Sequence, residues 1–356
     1  MAVSTAGGAL TQGRLPRLAP WLLLLASWLV VAGVYALFVM GGTVEDFSLV
    51  GTLFFGTVLY VAIIYVVSLS VEGRRQAVDR LVTALVFTAF VIALLPLVSL
   101  VTTVLANGAA RFDLDFFTMS QRNIVGAGGG ALHAIVGTLE ITAVATLISV
   151  PIGVMTAVYL VEYGRGHLAR WITFLVDVMT GIPSIVAGLF AYAVFAIVFG
   201  PGVRMGFAGS VALSLLMIPV VVRACEEMLK LVPNELREAA YALGVPKWLT
   251  ILKVVLPTSA AGITTGVMLA IARVIGETAP LLLVAGFTQS MNYDLFDGRM
   301  QSLPVFVYTS YMNQGTDTEA YLSRAWTGAL TLILIVMALN LVARLIARLF
   351  SPKTGR

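Results

Sequence analysis

Polar residues along this chain gather into short clusters, and the apolar runs between them are too long for a soluble fold. Eight such runs are read, at residues 20–40, 48–71, 80–106, 135–160, 171–199, 207–228, 257–286 and 326–349. A helix needs about 20 apolar residues to cross a hydrocarbon core of about 30 Å, whereas a buried core helix usually presents a run of about 10–14. None of the runs alternates as a barrel strand does. In lipid every backbone group must find its partner within the protein, so a helix is the form that remains. The pattern predicts an all-α, polytopic membrane bundle.

The most informative polar stretch lies between the sixth and seventh runs, at 231–257. Within it Glu238–Pro257 reads EAAYALGVPKWLTILKVVLP. Asn234 suits an N-cap, Glu235 and Glu238 suit a first turn, and the alanine-rich run to Leu243 is strongly helical. Gly244 is placed to end that helix and Pro246 to enter the first turn of a second short one. A sharp corner between two helices at a membrane face gives a soluble partner something rigid to grip. The alternative is an interfacial hairpin with no partner.

Composition agrees with the pattern: 59% of the 356 residues are hydrophobic and 11% charged, against about 25% charged in ordinary domains, and the mean hydropathy is +0.98. A pI near 9.3 invites a polyanion partner, but the distribution of charge argues otherwise. With Glu238–Pro257 in the cytoplasm and eight crossings, both termini are cytoplasmic. Fifteen of the 22 Lys and Arg residues then lie inside, Arg14, Arg17, Lys353 and Arg356 among them. Five lie outside (Arg111, Arg122, Arg204, Arg299 and Arg324), and Arg223 and Arg273 fall within spans. That bias is the positive-inside rule, which reports orientation and not nucleic-acid binding. Cys225 is the sole cysteine, which excludes an intrachain disulfide. His133 and His167 lie far apart and suggest no metal site. The run after Arg14 and Arg17 exceeds the about 7–15 apolar residues of a cleavable signal, so it reads as a retained first span.

Residues 1–72 read as an extension of two spans joined at Gly41–Phe47, packed on the periphery of a bundle formed by 73–350, with a cytoplasmic tail at 351–356. The cluster Gly126–Gly130 lacks the Lys and Ser/Thr of a phosphate loop and reads as a flexible turn. Pro151 and Pro183 are candidate kinks, and Gly262 and Gly266 form a small-xxx-small pair suited to close helix packing. The outer segment 287–325, with Tyr308 and Tyr311, suits either a soluble partner or the membrane interface.

Charges inside the membrane are costly, about 2.5–3.5 kcal/mol for a central Arg on insertion scales, and so mark function by default. Arg273 and Glu277, four residues apart, would share a helical face; an ion pair between them that locks the bundle is the structural alternative to a place on the substrate pathway. Arg223 stands on the preceding antiparallel helix and faces the same interior or snorkels to the interface. With one Glu between two Arg, a net positive charge remains for an anion. The roles of Asp177 and Glu140 stay open.

The stretch Glu238-Ala239-Ala240, Gly244 and Val254-x-Leu256-Pro257 resembles the EAA loop of ATP-binding-cassette importer permeases, departing only in Val where Ile is usual. Together with GIPSIVAGLF at 181–190, Arg223 before Cys225-Glu226-Glu227-Met228, and ARVIGETAPL at 272–281, it resembles the PstA-type permease subunits of bacterial phosphate importers over about residues 80–350. The resemblance implies a MetI-like core of six helices, with two extra helices before it. It implies Arg223, Arg273 and Glu277 on the substrate pathway, and Arg237, Glu238, Ala239, Ala240, Gly244 and Pro246 coupling to an ATPase. It further implies a sister permease PstC, a PstB dimer that holds ATP and Mg, and a phosphate-binding protein PstS. No cofactor or enzymatic activity is expected of this chain itself.

Import of phosphate needs such an engine. A divalent anion entering against about 100 mV faces about 4.6 kcal/mol, twice the 2.3 per charge, and dry lipid adds a Born penalty of tens more. Fixed guanidinium forks lower that barrier for an oxyanion. A sulfate or molybdate permease is the near alternative. An ion-coupled carrier would not need the 238–257 corner and should show inverted repeats, and an intramembrane enzyme lacks a catalytic cluster.

Overall fold

The computed structural model describes residues 13, 15–41, 48–315 and 317–350, the side chains of 346–350 excepted. Arg14, most of the expected turn at 41–47, the side chain of Arg348 and the tail at 351–356 lie outside the described residues. The described residues contain helices and no strands, and seven helices are long and apolar enough to cross a membrane, or eight when one bent pair is taken as a span. The chain divides into two compact units, Met1–Val101 and Thr102–Arg356. The division falls inside the third helix, beyond the expected boundary at residue 72.

In the first unit α1 (Ala19–Met40) and α2 (Leu49–Val71) pack together, and α3 (Arg74–Gly108) begins. The hairpin closes tightly at Gly56, where an added Cβ would lie 3.1 Å from the Trp28 Cα. The Trp28 indole donates to Thr57 Oγ1 at 3.2 Å. At its base, Glu72 accepts from Arg80 Nε at 2.5 Å and Nη2 at 2.8 Å, from Ser68 Oγ at 2.7 Å and from the Leu15 amide at 2.8 Å. The Arg80 guanidinium holds the Glu72 carboxyl down to about 2, against the opposing effect of burial.

The second unit contains α4 (Leu114–Thr118), α5 (Leu132–Val158), α6 (Gly166–Gly181), α7 (Ser184–Phe199), α8 (Gly206–Lys230), α9 (Asn234–Ala242), α10 (Lys247–Thr250), α11 (Leu256–Val274), α12 (Ala279–Val284), α13 (Leu303–Met312) and α14 (Thr318–Phe350). Its core lies where α5 packs along α8, with Ile141 and Ala145 meeting Leu213, Met217 and Val221. Gly153 lets the two helices close, since a Cβ there would meet Val221 at 2.6 Å. The pair Gly262 and Gly266 brings α11 onto α8 at Met228 and Ala224, as the small-xxx-small spacing predicts. Pro151 sits within α5 without ending it.

Two runs read as single spans are broken, the first of them at Pro183, one of the two candidate kinks. The run 171–199 folds as α6 and α7, bent by 109° at Ile182-Pro183. Pro183 has no N–H and forces the residue before it toward extended geometry, as Ile182 adopts with φ −72°, ψ 128°. This pair leads from the Tyr163 end of the bundle to the other, where Phe195 meets Phe207 edge to face, so it is a single broken crossing. The run 257–286 ends as α11 at Val274 and resumes as α12 at Ala279. α12 reaches that same far end, the Met205 amide donating to Val284 O at 3.2 Å.

The segments that the sequence assigns to the outer side are folded. Residues 126–130 form a pinned turn, not a flexible one: Arg111 donates to Gly129 O at 2.8 Å and Arg324 to Gly128 O at 3.0 Å. Within 287–325 the helix α13 buries Leu303 and Phe306 while Tyr308 and Tyr311 stay exposed.

Candidate functional site

The two broken spans meet at one cavity of about 260 Å³, near the lower limit of about 300 Å³ for ligand pockets and so suited to a small ion. Thr180, Ile182, Pro183 and Ser184 line it from the α6–α7 break, Leu216 and Val220 from α8, and Arg273 and Glu277 from the α11–α12 break. The breaks are held together by small residues: a Cβ on Gly188 would lie 2.7 Å from the Pro280 Cα, so α7 touches the backbone of α12. Pro183 O accepts from the Val186 and Ala187 amides. Ser184, which lines the cavity, is the first residue of α7, a 16-residue helix, and so stands at its positive end.

Arg273 and Glu277 do not form the ion pair of the structural alternative; none within 4.0 Å is found between them. The reason is local. α11 ends at Val274, and the Glu277 amide closes a tight turn on Val274 O at 3.1 Å. The shared face of a continuous helix is lost, and both charges line the cavity without a salt-bridge partner among the described residues. Arg273 is exposed and Glu277 half-buried.

Arg223 is placed differently from the expectation. Its guanidinium binds Asp177 on α6 and donates to Glu226 Oε2 at 2.8 Å, while Lys230 donates to Glu226 Oε1 at 2.6 Å. Two cations and two carboxylates balance, so Arg223 adds no free positive charge to the cavity in this conformation. It stands three residues beyond Val220, and Asp177 three before Thr180. The pair therefore lies about one helical turn from the cavity, on the side toward α9. Asp177 was legible as a lone acid within an apolar run, but its partner was not.

Beyond α8 the chain builds the corner. α9 ends in a Schellman motif: the Gly244 amide donates to Tyr241 O at 2.9 Å, the Val245 amide to Ala240 O at 3.1 Å. Gly244 has φ +76° and open space around an added Cβ. Two details differ from the sequence reading. Pro233, not Asn234, occupies the N-cap position of α9, and Pro246 precedes α10 instead of opening it. The second arm is also not a separate short helix, for α10 runs through a π turn at Ile251–Val255 straight into α11. Pro257 explains the widened turn, because its ring crowds the carbonyl four residues back and its missing N–H leaves that carbonyl free.

Glu238, Ala239, Gly244 and Pro246 are exposed on the corner, Ala240 is buried beneath it, and Leu243 is 84% exposed. Arg237 turns inward. It donates to Glu162 Oε1 at 3.0 and 2.8 Å, Val232 O at 2.7 Å, Leu229 O at 3.0 Å and Asn234 Oδ1 at 3.2 Å. Its side chain is 12% exposed and that of Glu162 5%. Lys247 caps the same knot by donating to Glu162 O and covering the Tyr163 ring, 4.8 Å from its centroid. Glu162, Thr180 and Ser184 escaped the sequence reading; only the polar interruption TGIPS in an apolar run signalled the last two.

Residues 149–356 match the family described as binding-protein-dependent transport system inner membrane component. The chain is similar to the phosphate transport system permease protein PstA 1 of Mycobacterium tuberculosis (strain CDC 1551 / Oshkosh), 49% identical over 276 residues that cover 77% of this chain and 90% of that protein. It is also similar to the phosphate transport system permease protein PstA of Pasteurella multocida (strain Pm70), 40% identical over 76% of this chain and 95% of that one. Among solved structures, a chain of a bacterial alginate ABC transporter in complex with its alginate-bound periplasmic protein superposes with a TM-score of 0.55 at 15% identity, covering 78% of this chain and 97% of that one. A chain of the inward-facing MetNI methionine ABC transporter gives 0.52 at 20% identity, covering 62% and 95%. At such identities the likeness concerns the fold alone.

Proposed function

Since the chain belongs to the family of binding-protein-dependent transport system inner membrane components, we infer that it is the permease subunit of an ATP-driven inorganic phosphate importer. The observation that carries the reading is the cavity where two broken spans meet, lined by Arg273, which has no salt-bridge partner among the described residues. An anion entering there would meet a guanidinium fork, the Ser184 and Thr180 hydroxyls and the N-terminus of α7. Its passage would then require the Asp177–Arg223 contact to part. The relatives named as phosphate permeases favour this substrate over sulfate or molybdate, and the corner at Gly244 favours an ATP-driven system over an ion-coupled carrier.

The remaining parts follow from the reading. A PstB-like ATPase dimer grips the exposed residues Glu238, Ala239, Gly244 and Pro246 from the cytoplasm and supplies the ATP and Mg chemistry. This chain binds no cofactor. A sister permease of the PstC type completes the pathway around Arg273, and a PstS-like binding protein delivers phosphate to the outer face near α13. Both termini are cytoplasmic, and residues 1–72 are an accessory to the six-helix permease. Arg237 holds the coupling helix from within.

The test is Arg273→Gln in the assembled transporter. Uptake of labelled phosphate should fall to background while the subunits still co-purify. Normal uptake in an assembled variant would remove the cavity from the pathway.

A further inference from the structure

Glu277 is the anomaly of an anion site. A carboxylate beside a passing oxyanion repels it, and the ordinary excuse, neutralisation by Arg273, does not apply because the helix ends between them and no salt bridge forms. A carboxylate becomes useful if the oxyanion brings a proton. Near neutral pH phosphate carries one or two P–OH groups, whereas sulfate carries none. Resting on the phosphate reading, we propose that Glu277 is a specificity-determining residue: it accepts a hydrogen bond from a protonated tetrahedral oxyanion while Arg273 binds the ionised oxygens, so the cavity admits phosphate or arsenate and rejects sulfate.

The rest of the wall supports the division of labour. Arg273 has donors alone, and the Ser184 amide at the start of α7 is also a donor. Thr180 and Ser184 hydroxyls can turn either way. Glu277 is therefore the one obligatory acceptor among the polar side chains lining the cavity. An unprotonated tetrahedral anion leaves that acceptor unpaired and facing like charge, and such a mismatch separates close analogues far more sharply than shape does. The separation expected from one charge-assisted hydrogen bond is about tenfold or more.

The test is equilibrium binding of ³²P-phosphate to the permease–ATPase complex, without the phosphate-binding protein, in lipid nanodiscs, competed with unlabelled phosphate, arsenate or sulfate. In the natural protein arsenate should compete like phosphate and sulfate should be weaker by about tenfold or more. In Glu277→Gln, whose amide can donate to an unprotonated oxygen, phosphate should weaken and sulfate strengthen until the preference is gone; Glu277→Asp should keep it. Sulfate competing equally in the natural protein, or an unchanged preference in Glu277→Gln, overturns the proposal and leaves the pathway reading intact. Phosphate binding undisturbed by Arg273→Gln overturns both, since the cavity is then not the oxyanion site.

Discussion

Replacing Glu162 by Gln should loosen the coupling helix without unfolding the bundle. The Glu162–Arg237 pair is shielded from water, and Arg237 stitches three elements together: the π turn that ends α5, the last carbonyls of α8 and the first turn of α9. Gln keeps the shape and an acceptor oxygen, so the change removes the negative charge from the acceptor of two hydrogen bonds and leaves the guanidinium without its counter-charge. Arg237 stays charged, so the loss is that of its counter-charge; a buried pair broken at one partner costs about 3–5 kcal/mol, and because Gln still accepts and the Val232 and Leu229 carbonyls remain, about 2–3 kcal/mol is expected. Arg237→Met is harsher, about 3–5 kcal/mol, because it strands a buried carboxylate. Amide hydrogen exchange reads this locally. Opening of α9 should become roughly 30- to 150-fold more frequent in Glu162→Gln, at about 1.4 kcal/mol per factor of ten, with the α5–α8 core unchanged. Glu162→Leu combined with Arg237→Met should cost less than the sum of the single changes. Exchange in α9 within threefold of the natural protein would refute the assignment of Arg237 as the inward clamp.

Three further outcomes are expected. Gly244→Ala should cost about 1 kcal/mol, since φ +76° is strained for an L side chain although the space is open; Gly244→Pro, whose ring forbids that φ, should abolish ATPase docking or its stimulation. Gly188→Ala should reduce phosphate uptake by spreading α7 from α12, as its Cβ would overlap the Pro280 backbone at 2.7 Å, with a thermal-stability loss of about 1–3 kcal/mol. The Glu72–Arg80 pair should stabilise the first unit fully above pH 4.5 and lose that contribution as pH falls toward about 2; hydrogen exchange at the start of α3 should accelerate over this window in the natural protein and stay flat in Glu72→Gln.

Hydropathy located the spans because lipid imposes length on each run, and the corner was legible because Gly244, Pro246 and Pro257 constrain backbone angles directly. Pro183 stood out as a candidate kink, but hydropathy hid the breaks themselves for the same reason it made the other spans plain. Gly181-Ile182-Pro183 is as apolar as its flanks, so the run 171–199 reads as one rod although the chain turns by 109° inside it. Gly276-Glu277-Thr278 interrupts the next run for too few residues to show. Spacing of four between Arg273 and Glu277 implies a shared face only while the helix continues, and it stops at Val274. The contacts of Arg223 with Asp177 and of Arg237 with Glu162 span 46 and 75 residues. No local rule pairs residues so far apart; helix packing does.

The same continuity that the sequence hid gives the proposed coupling its mechanics. α10, the π turn and α11 form one unbroken rod over Lys247–Val274, about 42 Å long at 1.5 Å per residue. Its first residue caps the Glu162 knot beside the corner, and its last turn carries Arg273 into the cavity. Gly262 and Gly266 bring that rod into backbone-close contact with α8 just past Arg223, so a displaced corner cannot be absorbed by sliding side chains. A push on Gly244 must then move Arg273 and α8 together against α6, the element that holds Asp177. On this reading the Asp177–Arg223 contact and the oxyanion cavity answer to one lever, and closing one while opening the other needs no second signal.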